Sequence, residues 1–160
     1  MTLRPLTERD IVAVAAMLAE PEVRRWWGDH DEDRIRTELL DEEDVETFAI
    51  DVEGELVGVL LVSEEEEPDY RHAALDISLA TEHHGKGLGR EALRLVIDHL
   101  IDERGHHRFT IDPDAENERA IRCYAAVGFR PVGVMRSYAR VHGSGAWRDG
   151  LLMDLLAEDL

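Results

Sequence analysis

The sequence predicts an α+β fold built around one mixed sheet of about seven strands. Short apolar or alternating runs are interleaved with segments of helical periodicity, in the order β-α-α-β-β-β-α-β-α-β-β. That order contains hairpins, which pair strands antiparallel, and two strand–helix–strand units, which pair strands parallel. At 160 residues with 44% hydrophobic content, the chain is expected to form a single domain over residues 1–160.

The first half of the chain is predicted to place helices between a first strand and a hairpin. Residues 2–6 are typical of a short strand, and residues 7–10 resemble a capping box before apolar residues at helical spacing. Pro21 ends that helix and is suited to open the next one. The remaining predicted elements of this half are a turn at 28–31, a helix at 32–40, strands at 46–52 and 56–62, and an acidic loop at 64–69.

The second half is predicted to form the two strand–helix–strand units and a closing hairpin. An apolar strand at 73–80 leads through a glycine-rich turn into a helix with an amphipathic pattern at 91–101. Arg104-Gly105 is expected to end this helix. A strand at 107–112 stops at Pro113, and Asn117 is suited to cap the helix that follows. Gly128 closes that helix, and the last strands are predicted at 129–141 and 147–156.

Charge and cysteine content exclude several classes of partner. The formal net charge of −18 argues against nucleic acid and anionic membranes, because both bind basic faces. The single cysteine, Cys123, cannot form an internal disulfide, and the N-terminal residues do not resemble a signal peptide, so a cytoplasmic location is expected. The acidity has two interpretations: solubility or a salt-adapted host, and a pocket for a polycationic ligand.

The segment from His84 to Arg90 is a glycine-rich, basic turn in an acidic protein, and Lys86 is the only lysine of the chain. A strand, a glycine loop and a helix in this order form an anion site, because free N–H groups and the helix dipole favour negative charge at the helix start. We therefore predict that a phosphate-bearing ligand binds at this turn. Its residues are His84, Gly85, Lys86, Gly87, Leu88, Gly89 and Arg90.

With this element order and this loop, the chain resembles the GCN5-related N-acetyltransferase superfamily, which binds acetyl-CoA. The family's loop motif, Gln/Arg-x-x-Gly-x-Gly/Ala, is similar to residues 84–89, with His84 standing where Gln or Arg is usual. A second family signature matches Asn117-x-x-Ala120-Ile121-x-x-Tyr124-x-x-x-Gly128-Phe129. The resemblance implies a mostly antiparallel sheet with helices on both faces, and acetyl-CoA as acyl donor. We expect no metal, because the histidines lack zinc-type spacing.

Shorter fragments, among them Trp26-Trp27-Gly28, residues 75–80, Asp112-Pro113 and Asp149-Gly150, are similar to the aminoglycoside 6'-N-acetyltransferases. This resemblance implies a monomeric or homodimeric enzyme that acetylates a primary amine of a cationic small molecule, foremost the 6'-amino group of an aminoglycoside, by direct attack in a ternary complex. Alternative acceptors are a siderophore precursor, a polyamine or a protein N-terminus. A non-catalytic acyl-CoA-binding or antibiotic-binding module is a third hypothesis.

The resemblance also implies two catalytic residues. Tyr124 is expected to protonate the leaving thiolate as general acid. Asp76 is an acid inside an apolar strand, a costly position unless the carboxylate is paired or functional. We expect Asp76 to anchor the ammonium group and relay its proton. It would be a poor direct base at its ordinary pKa of about 3.9, unless burial raises that value.

The remaining predicted site residues divide between donor and acceptor. The main chain of the strand before the loop is expected to pair with the pantetheine arm. A Trp pair and three acids are expected to bind the acceptor, with one Trp stacked on a sugar ring and the other packed in the core. The acidic loop at 64–69 is expected to occupy the place of a pocket wall. The donor residues are Ile77, Ser78, Leu79, Asn117 and Tyr124 together with the glycine loop, and the acceptor residues are Trp26, Trp27, Asp76, Asp112 and Asp149.

Overall fold

The computed structural model describes residues 1–141 and 143–160, and these form one seven-stranded sheet. The strands are β1 (Thr2–Pro5), β2 (Glu46–Val52), β3 (Glu55–Glu65), β4 (His72–Leu79), β5 (Arg108–Ile111), β6 (Arg130–Arg140) and β7 (Trp147–Leu156). Their spatial order is β1-β2-β3-β4-β5-β7-β6. β4 and β5 are parallel, and all other neighbours pair antiparallel. The predicted mixed, mostly antiparallel sheet is confirmed.

Helices cover both faces of this sheet. They are α1 (Ile11–Leu18), α2 (Pro21–Trp27), α3 (Glu32–Ile35), α4 (Leu88–Arg104) and α5 (Glu118–Val127), with short 3-10 turns at Glu8–Asp10, Thr81–His83 and Ala157–Asp159. Ala49 and Val59 pack with α1, α2 and α3, whereas their neighbours Ile50 and Leu60 pack with α4 and α5. Successive strand residues point to opposite faces, so the sheet separates two apolar cores.

Three predicted elements differ from the observed ones. α4 begins at Leu88 rather than at residue 91, so Leu88, Gly89 and Arg90 of the predicted glycine-rich turn form its first turn. The helix predicted at 32–40 is α-helical only to Ile35 and continues as a π-helical turn, in which the N–H of Asp41 donates to the carbonyl of Arg36. β3 extends to Glu65, into the predicted acidic loop. Glu64 accepts hydrogen bonds from Arg104 and His106, and the Arg104 guanidinium neutralises a charge that would otherwise oppose the strand.

The entry into α1 is fixed by hydrogen bonds to Asp10. Both carboxylate oxygens of Asp10 accept from the Arg4 guanidinium at 2.8 Å, and the N–H of Thr7 donates to Oδ2 at 2.8 Å. This last bond is half of the capping box predicted for residues 7–10. The bonds from Arg4 foremost hold the pKa of Asp10 well below its usual value, at about 2, against the opposing effect of burial.

Asp10→Asn is expected to lower the free energy of unfolding by roughly 2 kcal/mol at neutral pH, because the folded pKa lies about two below the unfolded one. A depressed carboxyl pKa stabilises the fold above the unfolded pKa of about 4, and that contribution is lost as the pH falls towards 2. Urea denaturation near neutral pH and near pH 3 measures the difference, with the exposed Asp44→Asn as control. Equal losses at both pH values would contradict the assignment.

Candidate active site

A gap between β4 and β5 opens the sheet near its centre. The parallel ladder pairs Ala73 with Phe109 and Ala74 with Thr110. Beyond these pairs β4 continues to Leu79, whereas β5 has four residues and ends at Ile111. The main-chain groups along this side of the last part of β4 are therefore available to bond an extended ligand arm instead of a strand.

The hydrogen bonds of β4 show which residues face this gap. The N–H of Ala80 donates to the carbonyl of Val57 in β3 at 2.9 Å. Main-chain groups alternate sides along a strand, so Ser78 also faces β3, while Ile77 and Leu79 face the gap. Of the three strand residues predicted to pair with the donor, Ile77 and Leu79 present their main-chain groups to it.

Neighbouring side chains already contact these two residues. The N–H of Ile77 donates to Asp76 Oδ1, and the carbonyl of Leu79 accepts from His84 Nε2, both at 2.9 Å. With the proton on Nε2, the Nδ1 of His84 accepts from Arg119. Burial foremost, and then the Arg119 charge, lower the pKa of His84 and favour this neutral form. His84, which stands where the family's loop motif usually has Gln or Arg, thus links the glycine loop to the end of β4.

The gap forms the floor of a cleft of about 1130 Å³, here named the central cleft. Its lining includes every site residue predicted from the sequence except Leu88, whose side chain packs against the core beneath α4 and α5. The acidic loop predicted as a pocket wall lies at the other end of β4, since Glu65 pairs with His72 at the strand's start. The structure therefore brings together the predicted donor and acceptor residues, but not this loop.

The glycine loop has the geometry of an anion site. Gly85 and Gly87 have φ values of +72° and +83°, and Gly87 is the N-cap of the 17-residue α4. A Cβ on either residue would meet no other atom within 4 Å, so the main chain is open to a ligand. The first N–H groups of α4, together with Lys86 and Arg90, suit the pyrophosphate of CoA.

Gly87→Ala is expected to lower the free energy of unfolding by about 1–2 kcal/mol and to weaken CoA binding, because the left-handed backbone at this residue disfavours a side chain. Gly133→Ala is the matched control, since Gly133 is equally open and lies outside the left-handed region. Urea denaturation and calorimetric titration with CoA measure both effects. Equal behaviour of the two variants would show that the loop backbone is not under this constraint.

Asp76 lies in the floor of the central cleft. Its neighbours Leu75 and Ile77 pack in the core with α4 and α5, so Asp76 points to the opposite face, where α2 lies. Its side chain is exposed to the cleft, and the walls of the cleft surround the carboxylate. This desolvation foremost, and then the negative charge of Asp112, raise the pKa of Asp76 to about 7. Asp76 is therefore a stronger base than an aspartate of ordinary pKa.

Tyr124 reaches the central cleft from the other face of the sheet. It is a buried residue of α5, and its ring packs edge-on against Phe129 at a centroid distance of 6.4 Å. Burial foremost, and then the charge of Asp76, raise the pKa of Tyr124 far above its usual value. The phenol therefore carries its proton at neutral pH, where it can donate a hydrogen bond to a sulfur atom that gains negative charge. A candidate base and a candidate acid thus approach one gap from opposite faces.

The two tryptophans of α2 have different surroundings. Trp27 packs against the core formed with α1 and α3. Trp26 lines the cleft, where the guanidinium groups of Arg25 and Arg148 lie 4.6 Å and 5.6 Å from its ring centroid. Each distance is suitable for a cation–π interaction. The aromatic surface that the sequence offered for a sugar ring is therefore partly covered by the protein's own cations.

Three predicted polar residues already have partners within the protein. Asp112 Oδ2 accepts from the hydroxyl of Tyr138, and Asp149 Oδ1 accepts from the N–H of Ser137 at 2.8 Å. Asn117 Oδ1 accepts from the N–H of Ala120 at 3.2 Å, which confirms its predicted role as a helix cap. Within residues 1–141 and 143–160, the other oxygen of each of the two acids has no hydrogen-bond partner and is available to a ligand.

Several residues of the cleft escaped the sequence analysis. Tyr138 and Arg148 lie in the closing hairpin, and Arg119 lies on α5. Asp149 and Gly150 lie inside β7, within the strand predicted at 147–156. Asp and Gly are uncommon in strand interiors, so this pair is a sequence signal of an irregular strand.

Among residues 1–141 and 143–160, no group of three or more His, Cys, Asp and Glu side chains is arranged to hold a metal ion. Within the same residues, no helix has the length and apolarity needed to cross a membrane.

Known proteins resemble this chain along most of its length. The aminoglycoside N(6')-acetyltransferase type 1 of Klebsiella pneumoniae is 29% identical over 84% of this chain and 76% of its own. The spermidine N(1)-acetyltransferase of Escherichia coli is 26% identical over 88% and 78%, respectively. Their names differ in the acceptor and agree in the reaction, acetyl transfer to nitrogen.

Solved structures agree with these relatives. RimJ of Mycobacterium smegmatis, in complex with CoA-disulfide, has a TM-score of 0.85 at 29% identity, covering 99% of this chain and 82% of that one. An aminoglycoside acetyltransferase in complex with coenzyme A has a TM-score of 0.81 at 25% identity, covering 99% and 95%. The family model described as "Acetyltransferase (GNAT) domain" matches residues 1–130. The chain therefore belongs to the GNAT acetyltransferase family and is an acetyl-CoA-dependent N-acetyltransferase.

Proposed function

We propose that this enzyme acetylates a primary amine of a polycationic small molecule, and that the 6'-amino group of an aminoglycoside is the foremost acceptor. One observation carries the proposal. Three carboxylates, those of Asp76, Asp112 and Asp149, line one cleft beside the gap at which the donor would bind. Clustered carboxylates concentrate a ligand that carries several ammonium groups.

The proposed chemistry uses one residue from each face of the sheet. When bound, acetyl-CoA supplies the thioester carbonyl that the amine attacks. Asp76 takes the proton that the amine loses as its C–N bond forms. Tyr124 gives its phenolic proton to the sulfur as the C–S bond breaks. The N–H of Leu79 at the gap is suited to orient the donor and polarise its carbonyl, whereas the N–H of Ile77 would first have to give up its bond to Asp76 Oδ1.

An aminoglycoside is proposed first because two kinds of support agree. The sequence fragments around Trp26-Trp27, Asp112 and Asp149 are similar to those of 6'-N-acetyltransferases. A relative named for that activity matches 84% of the chain. A role in antibiotic resistance and a cytoplasmic location belong to this proposal and remain predictions.

A linear polyamine is the second candidate, and one observation favours it. Arg25 and Arg148 cover the ring of Trp26, which leaves less aromatic surface for a sugar ring than the sequence suggested. A slender polyamine needs carboxylates along its length and no stacking surface. A relative named for acetylation of spermidine matches 88% of the chain.

Release of the CoA thiol, followed with purified enzyme and acetyl-CoA, tests the proposal. The panel holds a 6'-amino aminoglycoside, its analogue with a 6'-hydroxyl group, a polyamine, hydroxylysine and a peptide with a free N-terminus. We expect turnover with the 6'-amino compound and little with its 6'-hydroxyl analogue, and a kcat/KM that falls with added salt. Turnover confined to the polyamine would select the second candidate. Turnover confined to hydroxylysine or the peptide would refute both.

A further inference from the structure

β6 carries a bulge directly opposite the predicted acceptor residue Asp149. Met135 pairs with Gly150, but Ala139 pairs with Arg148, so residues 136–138 of β6 oppose the single residue Asp149 of β7. Extra residues in one strand bend it and redirect side chains, and such bulges are frequent beside active sites. Here the bulge lies at the rim of the central cleft, and Tyr138 lines that cleft.

Two features of β7 hold the bulge in an otherwise unfavourable shape. Ser137 has a φ of +49°, which is uncommon for a residue other than glycine, and its N–H donates to Asp149 Oδ1 at 2.8 Å. Gly150 leaves room for the Tyr138 ring, because a Cβ at Gly150 would lie 2.8 Å from Tyr138 Cδ1. Backbone strain that surrounding residues maintain is concentrated at functional sites.

The bulge brings the hydroxyl of Tyr138 to Asp112, where it donates to Oδ2. Asp112 follows the short strand β5 and is exposed, so this bond fixes a carboxylate that would otherwise be free to turn into solvent. The charge of Asp112 acts on Asp76 across the floor of the cleft. The Tyr138 hydroxyl therefore determines where the second carboxylate of the acceptor site lies.

We propose that Tyr138 is a positioning residue for the amine acceptor: held by the Asp149–Ser137 bulge, it fixes Asp112 opposite Asp76, so that one ammonium group binds between the two carboxylates. This inference rests on the proposed function. It gives Asp149 a structural task through Oδ1, besides the acceptor contact predicted from the sequence. It also explains why Asp149 and Gly150, two residues uncommon in strand interiors, lie inside β7.

The contact between Tyr138 and Asp112 should also affect the pH dependence of kcat/KM. The groups facing Asp76 are Asp112 after β5, Tyr138 on β6 and Tyr124 on α5. A neighbouring anion opposes ionisation of Asp76, so a released and hydrated Asp112 lowers the pKa of Asp76. If Asp76 acts in its ionised form, Tyr138→Phe moves the acidic limb of kcat/KM to lower pH.

A double-mutant cycle on Tyr138→Phe and Asp112→Asn tests the inference with whichever amine is turned over. We expect Tyr138→Phe to raise the KM of the amine roughly tenfold, with kcat and the KM of acetyl-CoA little changed. In the Asp112→Asn background the same substitution is expected to add nothing. Tyr70→Phe, at an exposed residue outside the cleft, is the control. Additive effects of the two substitutions would overturn the inference.

A second measurement does not depend on turnover. In protein labelled with ¹³C at the tyrosine Cζ, the Tyr138 signal should shift in Asp112→Asn and stay unchanged in Asp114→Asn, whose carboxylate contacts Arg148 instead. An unchanged Tyr138 signal in Asp112→Asn would refute the contact and the inference with it. If no amine in the panel is acetylated, the proposed function fails, while the spectra still decide whether Tyr138 holds Asp112.

Discussion

Asp76→Asn is expected to lower kcat/KM for a polycationic acceptor by about 10²–10⁴-fold, the usual contribution of a general base. The substitution removes both the proton acceptor and a charge that binds the ammonium group. In the wild-type enzyme the enclosure of Asp76 and the charge of Asp112 raise its pKa to about 7. Activity that needs the carboxylate should therefore fall as the pH drops below about 7, and this limb should be absent from the variant.

The kcat/KM–pH profile and a comparison of acceptors measure this prediction. A polyamine or aminoglycoside should lose far more than a monoamine, because the monoamine gains less from clustered charge. Asp44→Asn, an exposed substitution that removes the same charge, is the control. Equal losses for polycation and monoamine, with the acidic limb retained, would assign Asp76 a structural role only.

Tyr124→Phe is expected to lower kcat by about 10²–10⁴-fold while leaving the affinity for acetyl-CoA nearly unchanged. The ring that packs against Phe129 is retained, so the fold should keep its stability. The variant loses only the phenolic hydroxyl group, which in the wild-type enzyme is protonated at neutral pH.

Steady-state kinetics with saturating acceptor give kcat, and calorimetric titration with acetyl-CoA gives the affinity. Thermal unfolding verifies that the core is intact. Tyr70→Phe, on an exposed ring, is the matched control. An unchanged kcat would remove Tyr124 as general acid, because protonation of the leaving thiolate would then need another donor or water.

The sequence predicted the elements whose signals are local. Asn117 caps α5 through its own side chain, and Gly105 ends α4 with a left-handed backbone, so both boundaries depend on residues next to them. The glycine loop is likewise a local feature, because its shape follows from Gly85 and Gly87. Such signals are readable without knowledge of distant contacts.

The sequence did not predict features that depend on distant partners. Glu64 continues β3 because Arg104 and His106, about forty residues away, donate hydrogen bonds to its carboxylate. The place of Tyr138 depends on Asp149 and Gly150 across a hairpin. The pKa of Asp76 depends on how the cleft walls enclose it. In each case tertiary structure overrides a local preference.

The short ladder between β4 and β5 has a consequence for the unliganded protein. Strands β1 to β4 and strands β5 to β7 form two antiparallel groups, and two residue pairs join them within the sheet. An extended donor arm bonded to Ile77 and Leu79 would act as a short extra strand along this seam. Binding of the donor would then strengthen the connection between the two halves of the sheet and stabilise the folded protein as a whole.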